Sequence, residues 1–386
     1  MFKRITTKED FIENPILEMN IQEIENSQTD DIILYDKTFR MYSDEWKHHV
    51  HIKCTDRCDS NCNFCIEKSE RNNPQNENNL ITSTKDLLEQ LSRQGQLKTV
   101  SITGGEPTVF KRIGDLIDII GSFDLLLFSI NTNGRNLEVI PRDFKGWLDI
   151  SKHAVDDREV FKRDYNIDCS KLKLFKETHP NTSIRFQCVL GVSNEMKTIQ
   201  DILNYIETFH LYVDDFSFRN LIINNDEGKI DDLLLEFRKL LFESGGFVEQ
   251  VIQDYYVYEV YNFLGTTVTL SWSNMKELKN YNETHSSNFL EEIIVHPDGM
   301  ITGSWNKKSL IIHRPVNTED NTYIECRGIN CKNHCKRYIG NKFKESFKFK
   351  IYSCEVEGCF DGGIDQCGVD SCFESRVDHC GIDSCD

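Results

Sequence analysis

Between residues 48 and 225, short runs of β-branched and aromatic residues alternate with longer stretches whose apolar positions recur at helical spacing. The runs His48 to Lys53, Thr99 to Thr103, Leu125 to Asn131, Leu148 to Ser151, Ser183 to Leu190 and Asp215 to Ile223 predict six strands. Ser83 to Gln94 reads as a helix begun by Ser83 or Thr84 and stopped by Gly95, and Thr198 to Phe209 reads as another. Strands separated by helices imply a parallel α/β sheet, curled into a partial barrel by right-handed crossovers. Functional groups then collect at the carboxyl ends of the strands.

After Asn224 the pattern changes. A helical stretch, Asp231 to Phe242, precedes an aromatic run through Tyr255, Tyr256, Tyr258 and Tyr261, which marks a boundary between 225 and 226. A hairpin follows, Glu292 to His296 and Met300 to Trp305, with Asp298 and Gly299 as its turn. The expected organisation is a segment 1–47, a barrel 48–225, an extension 226–350 and a tail 351–386.

The tail is a repeat. Cysteines at 354, 359, 367, 372, 380 and 385 are spaced by five, eight, five, eight and five, a period of thirteen. Nine acidic residues and one arginine fall between Ser353 and Asp386, so this stretch carries −8 of the chain's −18. With almost no large apolar residue it has nothing to build a core from, and is expected to be disordered or organised by metal or cross-links.

A net charge of −18 over 386 residues repels phosphates and argues against a general nucleic-acid partner. The most apolar stretch, Ile113 to Ile130, is broken by Asp115, Asp118 and Asp124, so no membrane partner is expected. Met1 to Pro15 lacks an apolar signal core, which gives a cytoplasmic expectation. In that compartment fifteen cysteines point to metal or cluster ligation rather than disulfides. Cys169 and Cys188 stand apart and read as buried thiols.

The first strand is followed by Cys58-Asp-Ser-Asn-Cys62-Asn-Phe-Cys65. Three thiolates within so short a loop suit three corners of an iron–sulfur cube and leave one iron open, the mark of a catalytic centre. The residues alone also allow a zinc site completed by Cys54. Together with Gly104-Gly105-Glu106-Pro107 after the second strand, this loop resembles that of the radical S-adenosylmethionine (SAM) superfamily. Asn131 to Gly134, Ile150 to His153 and Phe216 to Arg219 match in order after later strands.

The resemblance implies a partial (β/α)6 TIM-type barrel in which Cys58, Cys62 and Cys65 hold a [4Fe-4S] cluster and SAM chelates the open iron. It implies that Gly104, Gly105, Glu106 and Pro107 form the SAM site, Glu106 meeting the amino group. Asn133 and Ser151 would lie near the ribose or carboxylate, and Phe64 near the adenine. Arg219 would bind the SAM carboxylate or pair with a barrel acid, and His153 would touch substrate or serve the structure. An electron donor such as flavodoxin or ferredoxin is implied as a partner.

Cys326, Cys331 and Cys335, behind the hairpin, resemble the SPASM or twitch extension of peptide-modifying members, which binds an auxiliary Fe–S cluster. Gly303, Ser304 and Trp305 stand where that extension has a cysteine, so the fourth position is left open, goes to a tail cysteine or His334, or belongs to a zinc site. The preferred expectation is a maturase acting on a peptide, forming thioether cross-links, with its own Cys/Asp tail as a candidate substrate. One alternative keeps the barrel and takes a nucleotide or small molecule, the tail being a metal-binding appendage. Another is a non-catalytic metal-storage protein, which would leave Gly104 to Pro107 without a role.

Overall fold

The computed structural model describes residues 2–12, 29–42, 49–65, 75–219, 232–253, 256–273, 288–290, 292–303 and 310–315. All lie in the first of the two units into which the chain divides, Met1–Pro315 and Val316–Asp386. Cys326, Cys331, Cys335, His334 and the 351–386 repeat are outside the described residues.

Strand β1 (Phe2–Ile5) comes first, then a hairpin of β2 (Thr29–Leu34) and β3 (Lys37–Tyr42). Tyr35 and Asp36 turn this hairpin with φ of 50° and 62°, the left-handed pair that matches strand twist. The alternating region follows as β4 (His49–Thr55), α1 (Glu77–Arg93), β5 (Thr99–Gly104), α2 (Ile113–Gly121), β6 (Leu127–Thr132) and β7 (Gly146–Ser151). It continues with α3 (Arg158–Phe161), α4 (Cys169–Thr178), β8 (Thr182–Val189), α5 (Ile199–Phe209) and β9 (Asp215–Arg219). β4 to β9 lie side by side in sequence order, each parallel to the next. All six expected strands therefore form; the stretch expected to carry the last to Ile223 leaves the described residues after Arg219.

Beyond β9 come α6 (Asp232–Glu243), β10 (Phe247–Gln253), β11 (Tyr256–Phe263), β12 (Thr266–Ser273), β13 (Phe289–Leu290), β14 (Ile293–Val295), β15 (Ile301–Thr302) and β16 (Ile311–His313). Described strands from before and after the boundary expected at 225 and 226 share one sheet, because β12 pairs in parallel with β9 and the β14–β15 hairpin docks β14 in parallel on β4. The order is β1-β10-β11-β12-β9-β8-β7-β6-β5-β4-β14-β15-β16, open at β1 and β16. The fold is thus mixed α/β around a mostly parallel sheet that does not close.

Two expectations about local structure fare differently. Thr198 caps α5 and forms a reciprocal capping box with Asp201. The first helix, however, begins at Glu77 rather than near Ser83: the Asn76 side chain accepts from Asn79 N at 3.0 Å, and Leu80 extends the buried row of Leu87, Leu88 and Leu91. Ser83 and Thr84 are buried inside it. Gly95, φ +67°, ends it as expected.

The two faces of the parallel strands differ in chemistry. One carries Val50, Ile52, Val100, Ile102, Ile130, Leu148, Ile184, Phe186 and Phe216, all buried, with Tyr205 and Phe209 of α5 packed on Phe186. The side chains that alternate with these include Ser101, Ser129, Asp149, Arg185, Gln187, Ser217 and Arg219. The helices therefore cover the apolar face, and the other face presents polar groups toward the ends of β7 to β9.

Candidate functional site

The carboxyl end of β4 runs into the cysteine loop. Lys53 and Asp56, both nearly inaccessible, pair at 2.9 Å, and Arg57 N donates to Thr55 Oγ1 at 3.1 Å, which turns the chain just before Cys58. Within the loop, Ser60 N donates to Cys58 Sγ at 3.4 Å and Asn61 N to the Phe161 carbonyl at 3.0 Å. Cys62 is buried while Cys58 and Cys65 are half-buried. Burial, reinforced by the neighbouring Cys58 and Cys65, pushes the Cys62 thiol up to about 11. Three thiols thus share one electrostatic neighbourhood, where cationic iron would relieve the mutual repulsion of their thiolates.

Cys54 does not join them. It belongs to the apolar core with Val50 and Ile52, donates to the Thr103 carbonyl at 3.3 Å, and is pushed up strongly by burial and by Glu106. Cys188 is likewise a core thiol, whereas Cys169, expected to be buried, is half-exposed at the start of α4 and donates to the Thr208 carbonyl at 3.2 Å.

The Gly104 to Pro107 segment is zipped to the root of the cysteine loop. Gly105 N donates to Thr55 O at 2.7 Å and Glu106 N to Arg57 O at 2.8 Å. A Cβ on Gly104, whose φ is +140°, would stand 2.3 Å from Thr55 O, and one on Gly105 would stand 2.2 Å from Arg57 O. The contact these glycines make possible is backbone against backbone. Pro107 opens a short 3-10 turn that Glu106 caps.

Glu106 is buried at the centre of this junction. Its Oε1 accepts from Thr108 N (3.0 Å), Thr108 Oγ1 (2.7 Å) and Thr132 Oγ1 (2.6 Å), and its Oε2 from Asn133 N (2.6 Å). Burial raises its pKa above the ordinary carboxylate value, and these donors oppose the rise. Asn133 faces the loop, its Nδ2 donating to Asp59 Oδ1 at 2.6 Å and Ser60 Oγ at 3.1 Å.

Further along, Phe64 meets His153 edge to face at 5.2 Å. His153 Nδ1 accepts from Val189 N at 3.0 Å, so the proton of the neutral ring sits on Nε2. Burial, with Arg219, Arg163 and Lys152 nearby, holds its pKa down at about 3. Ser151 ends β7 half-buried. Among the described residues Arg219 makes no ion pair with a barrel acid, though its charge acts on Asp149: it donates to Gln187 Oε1, and Asp215 and Asp149 lie with Arg185 at 2.5 and 3.6 Å. Among the same residues its buried Nε has no hydrogen-bond partner.

The loop with Cys58, Cys62, Phe64 and Cys65 thus lies against Gly104, Gly105, Glu106, Pro107 and Asn133, and among the described residues no three His, Cys, Asp or Glu side chains converge to hold a single metal ion. The auxiliary set Cys326, Cys331 and Cys335 lies outside the described residues. Sequence reading missed Thr108 and Thr132, which hold Glu106, and the buried charges Lys152, Asp157 and Arg163 behind the loop. The only pointer was Lys152 itself, an ionisable residue inside the segment Ile150 to His153.

Residues 52–214 match the profile of the Radical SAM superfamily. The chain is 29% identical over 140 residues to the probable GTP 3',8-cyclase of Thermococcus kodakarensis, covering 35% of this chain and 43% of that protein. It is 30% identical over 128 residues to the probable GTP 3',8-cyclase of Saccharolobus solfataricus, covering 31% and 39%. The chain therefore spans less than half the length of these curated relatives. A solved structure described as "Native anSMEcpe with bound AdoMet" aligns over 51% of this chain and 61% of that one, with 16% identity and a TM-score of 0.37. Among the described residues no helix is long and apolar enough to cross a membrane. The part of the chain that matches the radical SAM superfamily, residues 52–214, holds both the cysteine loop and the Gly104 to Pro107 segment fastened to it.

Proposed function

We propose that the chain is an enzyme that cleaves SAM reductively at a [4Fe-4S] cluster held by Cys58, Cys62 and Cys65, and that the product radical modifies a peptide. The observation that carries the first half is the backbone interlock between Thr55 to Arg57 and Gly104 to Glu106, which fixes the cysteine loop against Glu106 and Asn133. Bound together, cluster and SAM supply an electron and a 5'-deoxyadenosyl radical able to abstract hydrogen. The protein's own share is positional. Glu106 offers a buried carboxylate to the SAM amino group, Asn133 ties the loop to β6, and Phe64 and Ser151 flank the nucleoside. Arg219, with its open Nε, meets the carboxylate.

The peptide half rests on the thirteen-residue Cys/Asp repeat, whose period and lack of apolar residues suit a flexible substrate delivered in cis. Cys326, Cys331 and Cys335 would hold an auxiliary cluster, and a flavodoxin or ferredoxin would deliver electrons. A second reading, a nucleotide substrate, is favoured by the GTP 3',8-cyclase names of the relatives.

One anaerobic reaction separates the two. The full chain is incubated with SAM and dithionite, with and without GTP, then reduced, alkylated and analysed by tandem mass spectrometry. A thioether forms when the deoxyadenosyl radical takes one C–H hydrogen atom, the thiol loses its proton and the remaining electron passes to an oxidised iron–sulfur cluster, which leaves the tail about two hydrogens lighter and that cysteine closed to alkylation. Six alkylatable tail cysteines together with conversion of GTP would replace the peptide reading by the nucleotide one. Iron and sulfide in a Cys326/Cys331/Cys335→Ala chain should fall below the parent's; equal content would remove the auxiliary cluster.

A further inference from the structure

Behind the cysteine loop lies a buried charge cluster that the proposed chemistry does not use. Asp157 sits between two cations, Arg163 Nη2 at 3.0 Å and Lys152 Nζ at 3.5 Å, with all three side chains at most 1% exposed. Lys152 also donates to the Val155 carbonyl at 2.9 Å and to Asn166 Oδ1 at 2.5 Å. Arg163 donates through Nη1 to the Asn133 carbonyl at 2.8 Å, and its guanidinium lies 4.1 Å from the centre of the Phe161 ring.

Both of those contacts lead to the loop. The Asn133 side chain holds Asp59 and Ser60, and the Phe161 carbonyl receives Asn61 N. The Phe161 ring stacks on His153, which in turn meets Phe64. Four residues between Cys58 and Cys65 are therefore supported, directly or through one neighbour, by the shell around Arg163.

Burial pulls the Lys152 amine down and the Asp157 carboxyl up, each toward its neutral form, whereas a guanidinium keeps its charge at any working pH, so Arg163 is the cation this low-dielectric shell retains. Among the described residues the buried Nε of Arg163 has no hydrogen-bond partner, so this cation is kept in place despite a donor they do not meet.

We propose that Arg163 is a positioning residue for the cluster: it props the loop through Asn133 and Phe161, and its buried charge makes the bound cluster easier to reduce. This rests on the proposed ligation by Cys58, Cys62 and Cys65. Reduction adds one negative charge to the cluster, and a fixed cation nearby favours the reduced state. At a distance of about 10 Å in an effective dielectric near 20, one unit charge changes the ratio of reduced to oxidised cluster on the order of tenfold. For a one-electron couple that ratio corresponds to about 59 mV.

The test is an EPR-monitored redox titration of the anaerobically reconstituted full-length parent, Arg163→Gln, Arg163→Lys and Asp157→Asn, with iron and sulfide measured on each. The ratio of reduced to oxidised cluster at fixed potential should fall roughly tenfold in Arg163→Gln and recover most of that loss in Arg163→Lys. It should rise in Asp157→Asn, which removes the countercharge while keeping the shape. A support acting through packing alone would not restore Arg163→Lys toward the parent and at the same time raise Asp157→Asn above it. If Arg163→Gln does not retain its cluster, Asp157→Asn decides, and a potential equal to or below the parent's there overturns the inference. Equal potentials in all loaded variants overturn it too. A parent that assembles no [4Fe-4S] cluster at the loop defeats the proposed ligation itself, and this inference with it.

Discussion

Replacing Gly105 by alanine adds one methyl group at the point where two backbones touch. That methyl would stand 2.2 Å from Arg57 O, 2.6 Å from Arg57 C and 2.8 Å from Asp56 O, against the 3.4 Å at which ordinary contact begins. All three neighbours are main chain, so no side chain can rotate away. The segments must part by more than an ångström, which breaks Gly105 N to Thr55 O and Glu106 N to Arg57 O. Two hydrogen bonds at about 1 kcal/mol each, with about 1–3 kcal/mol of overpacking, predict a loss of roughly 3–5 kcal/mol. Urea unfolding of the apo chain measures this loss, and iron content after reconstitution reports the loop, since Cys58 directly follows Arg57. Gly114→Ala is the control, because its Cβ would meet nothing within 4 Å inside α2 and should be neutral or mildly stabilising. A Gly105→Ala chain that unfolds at the parent's midpoint and binds the parent's iron would show that the interlock does not hold the loop.

Glu106→Gln keeps size but sets an amide where four donors converge, so SAM affinity should fall by roughly 1.5–3 kcal/mol and the apo chain should also lose stability. Anaerobic calorimetry of the loaded protein checks the first, and unchanged SAM binding would remove Glu106 from the site. His153 is held near 3 when folded and titrates near 6.5 when unfolded, so below about pH 6.5 the unfolded state takes up protons first. Its contribution is complete above that pH and declines on acidification toward 3, by about 2 kcal/mol at pH 5. His153→Gln, which retains an acceptor for Val189 N, should flatten the acid limb of stability against pH; an unchanged slope would mean that His153 is not buried and neutral.

The six parallel strands were legible because each places apolar residues on one face at alternate positions, as in Val50 and Ile52 or Ile184 and Phe186, whatever its neighbours do. The turn at Asp298 and Gly299 was legible for a local reason too: Gly299 takes φ +84° and closes on His296 O at 2.8 Å. The start of α1 was not, since Asn76 as a cap competes with Ser83 and Thr84 in sequence and prevails because Leu80 has a core to enter. Cysteine spacing exposed the loop, but its supports join residues far apart in the chain, Asn133 to Asp59 and Phe161 to Asn61. The interlock at Gly105 was not legible for a related reason, because no local pattern tells which distant stretch of backbone a glycine will meet.

The central claim is that Cys58, Cys62 and Cys65 anchor a cluster that cleaves SAM. The most direct measurement is anaerobic formation of 5'-deoxyadenosine from SAM under dithionite, by the reconstituted chain and by its Cys58/Cys62/Cys65→Ala variant, with apo-chain unfolding as a check on folding. The account predicts production by the parent and none above background by a variant that still folds, because the thiolates are the cluster's anchors. Undiminished 5'-deoxyadenosine from the variant, or none from a parent loaded with iron and sulfide, would contradict it.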